Sequence, residues 1–168
     1  MSLGMYQASV PVFVRMLGGL SGMLDKAAVH VEARKLDPAA LLTARLFPDM
    51  YALTRQVQEA TKHVHWALDL LAGHEMPTVT STETSFAELK QRVAKTIDFA
   101  KSFTPAEIDG SEDRAVALKF PTRTLEMKGQ SFLLHFALPN FYFHVATAYD
   151  VLRHNGVEIG KRDFLGPG

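Results

Sequence analysis

The stretch SFLLHFALPNFYFHVATAYDVLRHN, residues 131–155, constrains the fold more than any other part of the sequence. Its apolar and small residues recur every three or four positions, which places them on one helical face that must be buried. Asn140 and His144 lie on this face, one turn apart. A buried amide or imidazole costs free energy unless it has hydrogen-bond partners. We therefore expect another helix to bring polar groups to meet these two side chains.

Three further segments have the same periodicity and recognisable ends. We expect long helices over residues 6–33, 48–72 and 85–102, because each has an apolar stripe with a spacing of three and four. Asp37 followed by Pro38 predicts a short connecting helix to about residue 45, since the carboxylate can cap it and proline suits the first turn. Gly73 is a helix stop, and Ser85 with Glu88 forms a capping box.

The remaining segments connect these helices or bend them. Residues 74–84 are rich in Thr, Ser and Pro, which predicts a loop that crosses from one end of the helices to the other. Residues 115–129 alternate on both sides of Pro121 and Thr122, as a short β-hairpin does. Pro139 predicts a bend or a break in the last helix, and the pattern leaves both open. The fold class is therefore all-α, a single up-and-down four-helix bundle spanning residues 1–168, with a hairpin before the last helix.

Composition narrows the classes of function. The 168 residues contain 18 basic and 18 acidic side chains and no cysteine. The absence of cysteine excludes disulfides, zinc sites made of thiolates and cysteine nucleophiles. The balanced charge, without a run of basic residues, argues against nucleic acid as a partner. No apolar run is long enough to span a membrane, and the N-terminus lacks the features of a secretion signal. We expect a soluble, cytoplasmic protein.

Several motifs resemble one protein family. LPNFYFHVATAYDVLRHNGVEIGKRDFLG at residues 138–166, FPDMYALTRQVQEA at 47–60 and TSFAELKQRVAKTI at 84–97 are similar to a family of unknown function grouped with the DinB/YfiT-like superfamily of proposed metalloenzymes. The resemblance implies a four-helix bundle with a crossover, paired as a homodimer. It also implies a divalent metal, in some members held by one histidine of the second helix and two histidines spaced four apart on the last, and used in thiol-dependent transfer or isomerisation.

The sequence departs from that metal motif. The last helix has no pair of histidines four apart, and His135 and His144 are nine residues apart, which places them on opposite sides of an ideal helix about 13.5 Å apart along its axis. The geometry that remains is His63 with His144, with Gln56 or Asn140 as a weak oxygen ligand. Zinc or nickel is the metal to consider, although two imidazoles and an amide make a poor site.

The candidate site is a polar pocket between the second and the last long helices. We expect it to be lined by Gln56, His63, Asn140, His144 and Tyr149, with an imidazole able to transfer protons near neutral pH. The alternative is a satisfied polar pair inside the core that fixes helix register.

Three classes of function follow. The first is a degenerate metal site whose pocket binds a small molecule, and the second is a metal-dependent transferase or hydrolase. The third is a non-catalytic structural or interaction module. In each case the aromatic run Phe141, Tyr142 and Phe143 covers several sides of its helix, and we expect a homodimer contact on the side that the bundle leaves uncovered.

Overall fold

The computed structural model describes residues 3–166, which form eight α-helices and one β-hairpin. In chain order these elements are α1 (Met5–Ala33), α2 (Pro38–Leu42), α3 (Leu53–Ala72), α4 (Phe86–Ser102), α5 (Pro105–Ile108), β1 (Ala115–Phe120), β2 (Arg123–Lys128), α6 (Gly129–Phe132), α7 (Leu138–His154) and α8 (Lys161–Leu165). A π-helical turn, Leu133–Ala137, joins α6 to α7. The long helices α1, α3, α4 and α7 form the bundle, which confirms the prediction of an all-α four-helix bundle with a hairpin before the last helix.

The ends of the helices follow from local capping chemistry. The Asp37 carboxylate accepts a hydrogen bond from the Ala39 N–H at the start of α2, and the Ser85 hydroxyl accepts one from the Glu88 N–H at the start of α4. Gly73 ends α3 in the left-handed region at φ 86°, which glycine adopts without steric cost. These three signals were all present in the sequence.

The first turns of the second long helix differ from the sequence prediction. We expected it to start near Pro48, but α3 begins at Leu53 and α2 ends at Leu42. Phe47 accepts a hydrogen bond from the Met50 N–H at 3.0 Å, so residues 47–50 form a β-turn with Pro48 at its second position. Proline is favoured at that position as well as in the first turn of a helix, and here the turn is formed.

The four long helices do not alternate in direction. The hydrogen bond from Arg92 to Thr61 and the stacking of Phe99 on His65 run in the same order along α4 and α3, so these two helices are parallel. His144 lies beside Gln56, whereas the earlier Phe136 lies beside the later His63, so α7 is antiparallel to α3.

The direction of α1 shows that the helices do not follow the predicted up-and-down order. On α1, Asp25 pairs with Lys90 near the start of α4, and Tyr6 lies near Asp109 after its end, so α1 is antiparallel to α4. The long helices therefore run up, down, down and up, and the up-and-down prediction was wrong in this respect. Two parallel consecutive helices need a connection as long as the helices themselves, and residues 73–85 supply it.

The last helical segment is continuous through Pro139. Residues 129–154 are helical throughout, with a π turn that ends two residues before Pro139. Proline lacks the N–H that would bond to the carbonyl four residues earlier, and a π turn is one way for a helix to accommodate an extra residue at such a point.

The core is one hydrophobic cluster to which all four long helices contribute. Phe13 of α1 packs edge-on against Phe141 of α7, with ring centroids 5.0 Å apart. The tail returns along α1, where Arg15 donates a hydrogen bond to the Leu165 carbonyl at 3.0 Å. Within residues 3–166, no helix is both long and apolar enough to cross a membrane.

Candidate metal centre

The inward face of α3 carries three polar side chains in consecutive turns. Gln56, Glu59 and His63 follow each other with spacings of three and four, and they are only 1%, 5% and 5% exposed. His144, 7% exposed, faces them from the antiparallel helix α7. Four polar side chains are thus collected between two helices whose other facing residues are apolar.

Gln56 determines which nitrogen of His144 carries the proton. The Gln56 Nε2 amide donates to the Tyr51 carbonyl at 3.1 Å, so its Oε1 is the atom that faces His144. Oε1 lies 2.8 Å from His144 Nδ1 and can only accept, so Nδ1 must donate. In a neutral imidazole the other nitrogen then has the lone pair, which leaves Nε2 of His144 free to act as a metal ligand or a base.

Both imidazoles are held in the neutral form, which differs from the prediction of an imidazole that transfers protons near neutral pH. Burial is the largest cause for each of them. It lowers the pKa of His63 to about 3, with the nearby His144 and Lys62 adding to the effect. It lowers the pKa of His144 to about 4, and the attraction of Glu59 opposes this only in part. The two rings lie nearly parallel with centroids 5.5 Å apart, and His63 makes no hydrogen bond to any residue of the described range 3–166. Neutral imidazoles with unused lone pairs are the form that binds metals.

Glu59 is the acidic member of the group, and it has two cationic neighbours. Arg55 approaches one carboxylate oxygen at 2.5 Å, and Lys62 contacts the other. A carboxylate offers about four lone-pair positions, so each oxygen retains capacity for a further ligand. The Glu59 side chain is 7% exposed and the Lys62 side chain 19%, which makes this a largely buried ion pair.

The arrangement fits a divalent metal in its donor atoms. Glu59, His63 and His144 each offer one ligand atom, and these three atoms lie within 4.8 Å of one another. Ligand atoms around a tetrahedral zinc ion are about 3.3 Å apart, given metal–ligand bonds of about 2.0–2.1 Å. Binding a metal would therefore require side-chain rotations that bring the three ligand atoms closer together. Two imidazoles and one carboxylate are the donor set of several catalytic zinc sites, which leave one position open.

A small cleft lies beside this cluster. It has a volume of about 200 Å³ and is lined by Asp49, Met50, Tyr51, Gln56, Phe143 and His144. Tyr51 stacks on the His144 ring at a centroid distance of 6.5 Å, and Phe143 meets the same ring edge-on at 5.3 Å. The cleft therefore leads to His144 between the aromatic rings of Tyr51 and Phe143.

The residues predicted from the sequence separate into two groups. The structure brings Gln56, His63 and His144 together. Asn140 does not share their hydrogen bonds, because its amide donates to the Phe136 carbonyl of its own helix at 2.7 Å. Tyr149 packs against Phe164 of α8, 5.9 Å between ring centroids. Neither side chain hydrogen-bonds to the cluster within residues 3–166.

Sequence reasoning missed Glu59. Acidic residues on a helix are usually exposed, and the metal motif that the sequence resembles consists of histidines. The signal that could have identified it is the spacing of Glu59 and His63, four residues apart and therefore on one face of α3.

Comparisons with known proteins agree with this fold. Residues 5–165 match the family described as "Domain of unknown function (DUF1993)". A crystal structure of a DinB family member protein from Shewanella denitrificans superimposes with a TM-score of 0.86 and is 36% identical, covering 97% of this chain and 92% of the other. The comparison with curated proteins finds no match. The chain therefore belongs to the DUF1993 family, a family of unknown function with a DinB-like fold.

Proposed function

We propose that this protein binds a divalent transition metal, zinc or nickel, through Glu59, His63 and His144, and that it is a metal-dependent hydrolase or transferase. One observation carries the proposal: a buried carboxylate and two buried neutral imidazoles from two helices converge within 4.8 Å. When bound, the metal supplies Lewis acidity. Glu59 provides the third ligand that the two histidines alone lack.

The protein's own residues have separate tasks in this proposal. Gln56 fixes the tautomer and the orientation of His144 through the 2.8 Å contact with its Nδ1. Burial keeps His63 and His144 in the neutral state that binds a metal. The cleft beside His144 gives a substrate access from one side, while the apolar core closes the other sides.

Elemental analysis tests the proposal directly. Protein purified without chelators and without nickel resin should contain close to one zinc, nickel or iron ion per chain, or should bind zinc stoichiometrically when it is added. Glu59→Gln, His63→Gln and His144→Gln should each lower the zinc affinity at least about tenfold. A protein that neither retains nor binds a metal would contradict the proposal.

Two histidines serve as matched controls. His65 is two residues after His63 on α3 but stacks on Phe99 of α4, 4.1 Å between centroids. His135 precedes His144 on the same helical segment and is exposed. His65→Gln and His135→Gln should therefore retain the metal. If they lose as much metal as the three ligand variants do, the loss reflects general unfolding or adventitious surface binding.

A second candidate is a pocket that binds a small molecule without a metal. It is favoured by the two cations that already occupy both oxygens of Glu59 and would compete with a metal for them. In that case the free Nε2 of His144 accepts a hydrogen bond from the ligand. The metal analysis separates the two candidates, because only the first predicts a bound ion.

We also propose that the protein is a homodimer. Phe141 is fully buried inside the bundle, but Leu134 and Tyr142 of the same helical segment are 44% and 38% exposed. Apolar side chains of this size at the surface are typical of subunit contacts. Light scattering should give twice the mass of the chain, and Tyr142→Lys should shift it towards the monomer. A wild-type protein that stays monomeric at high concentration would contradict this proposal.

A further inference from the structure

The charges around the proposed metal centre do not balance. Arg55 and Lys62 both pair with the single carboxylate of Glu59, and imidazoles that bind a metal do so in the neutral form. Adding a divalent ion gives this group three net positive charges. Asp49, at the wall of the cleft, is the one further acidic side chain there and offsets one of them. Charges of one sign held close together in a partly buried site are unfavourable, so a metal-loaded centre favours an anionic ligand.

Arg55 lies beside the cleft, next to Tyr51, although it is not one of the residues that line it. Its guanidinium carbon lies 5.5 Å from the centroid of the Tyr51 ring, and Tyr51 forms part of the cleft wall next to His144. The Arg55 side chain is 43% exposed, so it can reorient when Glu59 turns towards a metal. A guanidinium presents paired N–H groups that match the two oxygens of a carboxylate.

The shape and lining of the cleft favour a ligand with an apolar body. Tyr51 and Phe143 are 50% and 55% exposed, which is unusual for aromatic rings of a core, and both stand against His144 at the opening. A volume of about 200 Å³ is below the range of drug-sized pockets, which begins at roughly 300 Å³. The cleft therefore suits one ring or a short chain.

We propose that the ligand of this site is a small organic carboxylate with a flat apolar group, whose carboxylate faces the metal centre and Arg55 and whose apolar group lies between Tyr51 and Phe143. This inference rests on the proposed metal-binding function. It adds the chemical class of the substrate and assigns Arg55 as its anion-binding residue.

Calorimetric titration with matched probes tests the inference. Benzoate has the charge and the ring, acetate lacks the ring, and benzamide lacks the charge. The zinc-loaded protein should bind benzoate at least about tenfold more tightly than either of the other two. Arg55→Gln should weaken benzoate binding about tenfold, and Phe143→Ala should bring benzoate close to acetate. Arg153→Gln, about 13.5 Å further along α7 than His144, is the control and should change nothing.

Zinc content is measured separately for every variant, so that the two proposals can fail separately. Equal binding of benzoate and benzamide, or unchanged benzoate binding by a zinc-loaded Arg55→Gln protein, would overturn the inference and leave the metal site intact. If the wild-type protein binds no zinc, the metal proposal fails. Benzoate binding that depends on Arg55 in this metal-free protein would then support the anion site alone, and its absence would overturn both.

Discussion

At the scale of single residues, Gln56 is the side chain whose role is most specific. It is 1% exposed and holds the Nδ1 proton of His144 in place. Gln56→Met keeps the volume but removes the acceptor, so the preferred tautomer of His144 is no longer fixed. We expect the zinc affinity to fall about 10- to 100-fold, as for other partners of metal-binding histidines. Competition with a coloured chelator measures it.

The control for this prediction is another glutamine. Gln91→Met, at an exposed position of α4, should leave the zinc affinity unchanged. Wild-type affinity in Gln56→Met would show that the orientation of His144 does not depend on the amide.

Two glycines of α1 should respond to the same substitution in opposite directions. A Cβ atom at Gly19 would lie 2.8 Å from the carbonyl oxygens of Asp163 and Phe164, so Gly19→Ala must displace the tail and should cost about 1–3 kcal/mol. A Cβ at Gly22 meets nothing within 4 Å, so Gly22→Ala should stabilise the helix by up to about 1 kcal/mol. Urea unfolding of both variants measures this. A shift of the same sign in both would contradict it.

The residue scale also shows what the sequence could and could not predict of the site. His63 and His144 were expected to be inward from their places in apolar stripes, and burial of both follows from that periodicity. Whether a polar side chain on a helix turns to a neighbouring helix or back to its own backbone depends on which hydrogen-bond partner is nearer. Asn140 donates to the Phe136 carbonyl one turn before it, and the periodicity of the sequence does not predict which of the two partners is used.

At the scale of elements, Arg92 holds the segment that connects the parallel helices α3 and α4. From α4 it donates to the Thr80 carbonyl at 2.7 Å and pairs with Glu83 at 2.8 Å, both in the crossing segment. It also contacts Thr61 of α3. The Arg92 side chain is only 8% exposed, and its removal leaves the carboxylate of Glu83 without a cationic partner. Arg92→Met should lower the free energy of unfolding by about 3 kcal/mol and open the segment first.

Hydrogen exchange locates this effect. In Arg92→Met the amides of residues 74–85 should exchange much faster, while those of α3 and α7 change only through the overall loss of stability. Lys95→Met, an exposed position one turn further along α4, is the matched control. Uniform acceleration over the whole chain would show that the segment is held mainly by other contacts.

The same ion pair makes the crossing segment sensitive to acid. Burial alone would raise the pKa of Glu83, but the hydrogen bonds and the charge of Arg92 outweigh it and hold the pKa below its usual value. A folded-state pKa below the unfolded one means that the pair stabilises the fold above about pH 4.3 and stops doing so as the pH falls. Glu83→Gln should therefore be less stable than wild type at pH 6, and the difference should shrink as the pH falls below about 4.3, as measured by urea midpoints. A difference that is independent of pH would contradict this.

The existence of the elements was largely predictable, whereas their directions were not. Capping at Asp37 and Ser85 and the stop at Gly73 are local chemistry that the sequence displays. The direction of α4 depends on whether residues 74–84 return along α3, which is decided by contacts such as the one between Gln58 and Glu83. The start of α3 was missed because Pro48 suits a turn and a helix equally well.

At the scale of the whole molecule, metal binding should be coupled to folding. The three proposed ligands come from α3 and α7, which contact each other only in the folded state. A ligand that binds only the folded state stabilises it by about 2.7 kcal/mol at 100 times its dissociation constant. The midpoint of thermal unfolding should therefore rise with zinc concentration, and His144→Gln should abolish the rise. A midpoint that is independent of zinc would contradict this coupling of metal binding to folding.

The π turn at Leu133–Ala137 links distant parts of the molecule through helical phase. Phe132 before it and Phe141 after it are both fully buried although nine residues separate them, a spacing that puts two side chains on opposite sides of a regular α-helix. The π turn accommodates one residue more than a regular α-helix would. This extra residue thus sets the angle between the hairpin and His144. Removing one residue from the turn would rotate one end relative to the other by about 100°, so the hairpin and the metal centre could not both keep their present contacts.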